Sequence, residues 1–387
     1  MSVSRLVAVV IAFLVVLAGT LQASAQLYST PAKQALLLDA DTGTVLFAKE
    51  PDAQIPPASL AKIMTMEVVF HQLKTGKLSL DDKFFVSENA WRTGGASSGG
   101  STMFAKLNSE IRLEDLIRGV IVQSANDGCI IIAEGLAGSE RAFAGLMNER
   151  ARAIGLTGSF FTNSTGLPDD NQYVSIRDLA KLAQHIISEY PEYYRYYQEP
   201  EFEWNNILQR NRNPLLKMDI GADGMKTGFT EASGYAIVGT ALRDNQRLIA
   251  VMSGMASIRQ RSEEARKILD WGFRAFEKLT LFSDGEIIGE ANVYGGEKSG
   301  VAVVGEGPVE IYLPIGNRDK LRARVIYQGP IMPPVEQGTQ IATLKVWIGD
   351  ELSQETPLYA GETVEKGGLQ RQAFDAAKEL LFGWIRF

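Results

Sequence analysis

The 387-residue chain contains one cysteine and two histidines, and both shortages narrow its chemistry. A single thiol, Cys129, forms no disulfide within the chain, and its place in the apolar run Cys129-Ile130-Ile131-Ile132-Ala133 reads as a small buried hydrophobe. His71 and His185 stand far apart, each inside a helical pattern, and no ligand spacing such as H-E-x-x-H occurs. A metal or other cofactor is therefore not expected. Acidic side chains outnumber basic ones, 46 against 39, and the net charge of −7 gives no support for nucleic-acid binding. Long apolar runs are scarce too. The one from Leu6 to Leu17 is too short to span a bilayer comfortably. Preceded by Arg5 and followed by Ala23-Ser24-Ala25, it reads as a secretory leader over residues 1–25, so that Gln26 begins the mature chain.

Against these shortages stand three short motifs in a fixed order: Ser59-Leu60-Ala61-Lys62, Ser124-Ala125-Asn126 and Lys226-Thr227-Gly228. Ser59 and Lys62, at i and i+3, lie about one turn apart on one face of a helix, so the amine reaches the hydroxyl. That pair is an activatable nucleophile and its base without histidine. The run Pro56-Pro57-Ala58 stops any earlier helix just before Ser59. Alone, S-x-x-K is a weak signal; the ordered trio is the strong one. Copies elsewhere lack the context. Lys74-Thr75-Gly76 reads as a helix C-terminus, Ser87-Glu88-Asn89 has no helix-loop-helix around it, and Gly95-Ala96-Ser97-Ser98-Gly99 follows no apolar strand. Thr93 to Ser101 reads as a flexible glycine-serine loop.

Apolar periodicity places the motifs. Ala35–Asp39 and Thr44–Lys49 predict a β-hairpin, and Leu60, Ile63, Met64, Val68 and Leu73 a helix from Ser59 to Gly76. Further helices are expected at Leu113–Val122, Asp127–Leu136, Glu140–Ile154 and Ile176–Glu189, which sets Ser124 and Asn126 on a short connection between two of them. Tyr235–Leu242 and Arg247–Ser253 read as paired strands, and Glu263–Lys278 as a last helix. From Leu279 the pattern becomes short alternating runs punctuated by glycine, a small β domain. The final segment gathers Leu369, Ala373, Leu380, Trp384 and Ile385 on one half of a helical wheel and Arg371, Lys378, Glu379 and Arg386 on the other, the signature of a helix lying in a membrane interface.

The trio, together with Gln123-Ser124-Ala125-Asn126-Asp127, Asp223-Gly224-Met225-Lys226-Thr227-Gly228 and Asp270-Trp271-Gly272-Phe273-Arg274, resembles the penicillin-recognising serine enzymes, and within them the low-molecular-weight D-alanyl-D-alanine carboxypeptidases. The resemblance implies a mixed α/β fold, an antiparallel sheet with a helical cluster, over residues 26–278. A small all-β domain over 279–366 and an amphipathic anchoring helix over 367–387 would follow. It implies removal of the terminal D-alanine from peptidoglycan stem pentapeptides through a Ser59 acyl-enzyme, with β-lactams acylating the same serine. Location is then extracytoplasmic, in the periplasm, peripherally held on the membrane surface. Lys62 is the base, provided that burial and a nearby cation such as Lys226 depress its pKa. Ser124 relays a proton to the leaving amine, Asn126 holds the substrate amide, and Lys226, Thr227 and Gly228 form the strand edge beside it. The backbone N–H groups of Ser59 and Phe229 make the oxyanion hole. Lys226, Thr227 and Arg259 are the candidates for the substrate carboxylate, ahead of Arg210 and Arg212. Where some relatives carry histidine, this chain has Phe229 and a loop, Ser164-Thr165-Gly166-Leu167, without one. An endopeptidase cutting cross-links is the nearest alternative; a β-lactamase, disfavoured by the lack of E-x-x-L-N between Asn126 and Lys226, and an inactive wall-binding module stand further off.

Overall fold

A computed structural model describes residues 28–315, 321–373 and 376 of the chain. The leader over 1–25 and most of the segment 367–387 lie outside the described residues. The first hairpin joins β1 (Gln34–Asp39) to β2 (Val45–Lys49), with Leu37 opposite Phe47. Two smaller antiparallel pairs join β3 (Lys83–Phe85) to β4 (Glu110–Arg112) and β5 (Glu201–Trp204) to β6 (Ile207–Arg210). The long strands β7 (Ala222–Thr230), β8 (Gly234–Arg243) and β9 (Gln246–Met255) then run antiparallel in succession. Asp244 and Asn245 both adopt positive φ between β8 and β9, as a two-residue turn that follows the strand twist requires. Because β1 pairs with β9, the sheet order is β2-β1-β9-β8-β7, and β7 occupies an edge.

The central strands are buried on both faces, so they read as nearly continuous apolar runs. Their side chains still divide by period two. Leu36, Leu38, Ile249 and Val251 enter the core shared with the helical cluster, whereas Leu37, Leu248, Ala250 and Met252 enter the core beneath the last helix. The longer helices among the described residues are α1 (Ala61–Lys74), α2 (Leu113–Arg118), α3 (Asn126–Ala137), α4 (Glu140–Ile154), α5 (Ile176–Glu189) and α6 (Ile258–Ala275). A short helical turn at Ala58–Leu60 leads into α1, which is buried around most of its circumference.

The last helix departs from its expected bounds, beginning five residues early and ending at Ala275. Ser257 caps it by accepting from Gln260 N, and Phe276 turns extended because it opens β10 (Phe276–Phe282), which pairs with β13 (Val309–Pro314). Glu277 and Lys278 therefore belong to a strand. A second sheet follows in the order β11 (Gly289–Asn292), β12 (Gly300–Val304), β16 (Glu351–Ala360), β15 (Gln340–Ile348), β14 (Leu321–Ile326), around Val303, Ile311, Leu344 and Leu358. It touches the first hairpin directly: the Thr44 hydroxyl donates to Gln354 Oε1 (2.7 Å, buried) and the Ser353 hydroxyl to the Val45 carbonyl (3.1 Å).

Candidate active site

Pro56 and Pro57 end the preceding extended stretch, and the turn that follows presents Ser59 partly exposed while Ala58 and Leu60 are buried. One turn on, Lys62 is buried at the start of α1. Its Nζ donates to Ser59 Oγ at 3.2 Å and to the Thr165 carbonyl at 2.5 Å. Thr165 is held in turn: Asn163 Oδ1 accepts from Thr165 N, Thr165 Oγ1 and Gly166 N, and Glu140 accepts from the Ser164 hydroxyl. Gly166, at φ 78°, is pressed so closely against the Ser59 turn that a Cβ there would stand 1.8 Å from the Ala58 carbonyl oxygen.

The second motif sits where α2 runs through a wider turn into Ser124. Ser124 itself takes a left-handed conformation, φ 63°, and its buried hydroxyl finds no hydrogen-bond partner among the described residues. An unpartnered buried hydroxyl on a strained residue is the mark of a group held ready for something else. Asn126 opens α3, with its backbone N–H on the Ser101 carbonyl (2.7 Å). Asp127 is fully buried. Its carboxylate accepts from the Thr102 hydroxyl (2.6 Å) and from the backbone N–H groups of Met103, Ala105 and Gly128 (3.0 Å each). The glycine-serine loop, expected to be flexible, is thereby fastened to α3 from both sides. Gly94 packs on the Asp127 backbone, where a Cβ would fall 2.5 Å from Asp127 N, and a Cβ on Gly100 would fall 2.8 Å from Asn126 Nδ2.

Edge strand β7 supplies the third motif. Lys226 and Thr227 are buried, and Lys226 Nζ donates to the Thr227 carbonyl (3.1 Å). Gly228 lies against the Ser59 turn, a Cβ there falling 3.2 Å from Ala58 Cβ and 3.4 Å from Ser59 N, so the strand passes the nucleophile at close range and a side chain here would push the two apart by a few tenths of an ångström. Phe229 projects outward, half exposed, with its ring 4.3 Å from that of Tyr235.

Charges of both signs reach the centre, the carboxylates of Glu140 and Asp127 raising the pKa of Lys62 against the effects that lower it. Burial, first of all, pushes the Lys62 amine below the ordinary lysine range, and the guanidinium of Arg212 lowers it further. Cys129 is buried beside this amine; burial raises its thiol to about 12, so at neutral pH it carries no charge to hold a proton on Lys62. Lys226 is lowered well below its usual range, by burial and then by the charges of Lys62 and Arg212. The two buried lysines repel each other, and Arg212 adds to the depression of both.

The arginines differ from the sequence-based ranking. Arg259 lies on the outer face of α6, its side chain 87% exposed and paired with Glu263 at 2.7 Å. It is not brought to the site, because α6 starts at Ile258 and its helical phase turns that position to solvent. Two residues on, Arg261 is buried, its guanidinium carbon 5.7 Å from the Tyr235 ring centre and its Nε without a partner among the described residues. Its charge reaches Lys226. Arg212 donates from Nη1 to Ser101 Oγ (2.7 Å), on the rim of the same site. Arg261, Asn163 and Glu140 escaped sequence reasoning, since each acts through a fold contact with no motif spacing behind it.

These features can be compared with known proteins. Residues 20–257 match the D-alanyl-D-alanine carboxypeptidase family, Peptidase_S11, and residues 276–366 match the penicillin-binding protein 5 C-terminal domain. The chain is 36% identical over 380 residues to D-alanyl-D-alanine carboxypeptidase DacC of Escherichia coli K12, covering 97% of this chain and 95% of that one. Against DacA of the same organism it is 33% identical over 357 residues, covering 92% and 89%. Among solved structures, penicillin binding protein 5 from Haemophilus influenzae superposes with a TM-score of 0.74 at 36% identity, over 88% of this chain and 99% of that one. With a family model matched over more than half of its length and a relative 36% identical over nearly all of it, the chain belongs to the D-alanyl-D-alanine carboxypeptidase family of serine peptidases.

Proposed function

We propose that the chain removes the terminal D-alanine from peptidoglycan stem peptides ending in D-Ala-D-Ala, with Ser59 as the acylated nucleophile and β-lactams as inhibitors that acylate the same oxygen. The observation that carries this reading is the buried Lys62 amine, depressed in pKa, 3.2 Å from Ser59 Oγ. Neutral Lys62 takes the Ser59 proton as Oγ bonds to the carbonyl carbon of the penultimate D-alanine. The oxyanion that forms is received by the backbone N–H groups of Ser59 and Phe229. The proton taken up by Lys62 is relayed through the Ser124 hydroxyl to the leaving nitrogen, the C–N bond breaks to release D-alanine, and Lys62 is neutral again. Water then attacks the ester, Ser59 regains its proton, and the shortened peptide leaves. Asn126 holds the substrate amide, and Gly228 keeps β7 close enough to act as its strand partner.

The carboxylate of the leaving D-alanine needs fixed positive charge. Arg261 meets that need: it is buried, has no paired carboxylate among the described residues, and its charge, like that of Arg212, reaches Lys226. Among the described residues no helix is long and apolar enough to cross a membrane. We assign export to residues 1–25 and peripheral attachment to the amphipathic segment 367–387, testable by vesicle co-sedimentation with and without that segment.

The deciding experiment is the intact mass of the purified protein over time with excess benzylpenicillin, beside Ser59→Ala and Lys62→Ala. A long-lived single adduct, absent from both variants, together with D-alanine release from a D-Ala-D-Ala peptide, is the expected result. Drug hydrolysis without an adduct would make the chain a β-lactamase, and normal acylation of Lys62→Ala would remove Lys62 as the base.

A further inference from the structure

Two consecutive carbonyls of the loop 163–166 dock on one face of α1. The Ser164 carbonyl accepts from Thr65 Oγ1 (2.7 Å) and the Thr165 carbonyl from Lys62 Nζ (2.5 Å). Residues 62 and 65 lie about one turn apart, so the two contacts fix the loop along the helix. From the other side α4 grips the same loop. Glu140, in the first turn of that helix, accepts from the Ser164 hydroxyl at 2.7 Å and from the Ser164 N–H at 3.4 Å. Ser164 and Thr165 are both buried, which leaves the carboxylate at the outer end of a chain that runs Glu140, Ser164, Thr165, Lys62.

That chain ends on the base of the reaction, and the base carries a proton for part of every cycle. When neutral Lys62 takes the Ser59 proton, an ammonium forms at a buried place where burial itself and the cations Arg212 and Lys226 oppose it. On α3, Cys129 offers no counter-charge, because burial raises its thiol to about 12. Asp127, also on α3, has its carboxylate engaged by the Thr102 hydroxyl and by the N–H groups of Met103, Ala105 and Gly128. Glu140 is the other carboxylate whose charge reaches Lys62, and it makes no ion pair among the described residues. A carboxylate in direct contact would keep the lysine protonated; one serine set between them lets the charge act without locking the proton in place.

We propose that Glu140 is a positioning residue for the reaction: through Ser164 it holds the carbonyl on which the Lys62 amine rests, and its negative charge steadies the ammonium that forms when Ser59 is deprotonated. The proton moves from Ser59 Oγ to Lys62 Nζ and on to the leaving nitrogen, while Glu140 neither gains nor gives one. This role rests on the reading of Lys62 as the base for Ser59.

The test measures acylation of the full-length protein by benzylpenicillin in stopped flow from pH 5 to 11, for the native chain, Glu140→Gln, Glu140→Asp and Ser164→Ala. Glutamine keeps an acceptor for the Ser164 hydroxyl and removes the charge. The midpoint of the rising limb should therefore move to lower pH by about half to one unit, while the plateau changes by less than about threefold. Glu140→Asp retains the charge and should return the midpoint most of the way to the native value. Ser164→Ala keeps the charge and cuts the link, so its midpoint should stay in place and its plateau fall by about tenfold. A carboxylate that serves only to hold the loop would alter the plateau of Glu140→Gln and leave its midpoint where it was; an unmoved midpoint overturns the proposal. So does a Ser164→Ala plateau equal to the native one. Normal acylation of Lys62→Ala, or a native chain that forms no adduct at any pH, overturns the underlying reading of the site together with this role.

Discussion

Replacing Asp127 by asparagine probes how the second motif is held, and the cost can be worked from the contacts. Each carboxylate oxygen accepts two bonds: Oδ1 from Met103 N and Gly128 N, Oδ2 from Thr102 Oγ1 and Ala105 N. An asparagine keeps one acceptor oxygen. Its better orientation turns the NH2 toward Thr102, whose hydroxyl rotates to accept, and leaves Ala105 N–H facing another donor. One buried orphan donor costs about 1–3 kcal/mol, and loss of charge weakens the two surviving bonds by ~1 kcal/mol each. Relief from burying a carboxylate offsets part of this. A net loss of about 3 kcal/mol remains, or roughly 6–12 °C in the unfolding transition of the catalytic part. Thr102→Val, which removes one hydroxyl, should lose only about 1 kcal/mol. Since Asn126 N is bonded to Ser101 in the same loop, acylation by benzylpenicillin should slow by about tenfold or more, as small misplacements near reacting atoms do. Differential scanning calorimetry with stopped-flow acylation measures both. A shift under about 2 °C with normal acylation would refute the clamp.

Other expectations follow the same contacts. Gly166→Ala sets a Cβ 1.8 Å from the Ala58 carbonyl at a positive φ, so denaturant unfolding should show a loss of about 3–5 kcal/mol and acylation should nearly vanish. The acylation rate should rise with pH along a limb set by Lys62 and centred below the ordinary lysine value, because only the neutral amine accepts the Ser59 proton. Arg212→Met removes a cation that lowers that pKa, so the limb should move to higher pH in a pH-rate profile. For the carboxylate, Arg261→Met should raise KM for D-Ala-D-Ala peptides about tenfold or more, whereas Arg259→Ala, on an exposed face, should leave kcat and KM unchanged in the same D-alanine release assay.

Much of the fold was legible because its signals are local. The short apolar runs of β1 and β9 and the period 3.6 of α5 are written in neighbouring residues. The end of α6 was not, since Phe276 is extended only because Pro314 lies beside it, 38 residues along the chain. The motif residues were legible for the same reason as the helices, spacing. Arg261 was missed because Arg259 and Arg261 look alike in sequence, and only the phase of α6 decides which is buried. Asp127 was visible as part of a family-like phrase, yet its role as an acceptor for the loop at 102–105 depends on segments more than 20 residues apart.

The passage from α6 into β10 takes place between adjacent residues, Ala275 and Phe276, and the contact of Thr44 with Gln354 adds a buried second fastening. Two attachments at different places remove the swivel that a single linker would leave. The β-rich part then acts as a stiff mast: whatever its far end is fixed to, the mouth beside Ser59 keeps one bearing relative to that attachment. A polymer strand approaching from the side would meet the enzyme at a set height and angle, so geometry, as well as chemistry, would decide which peptides come within reach.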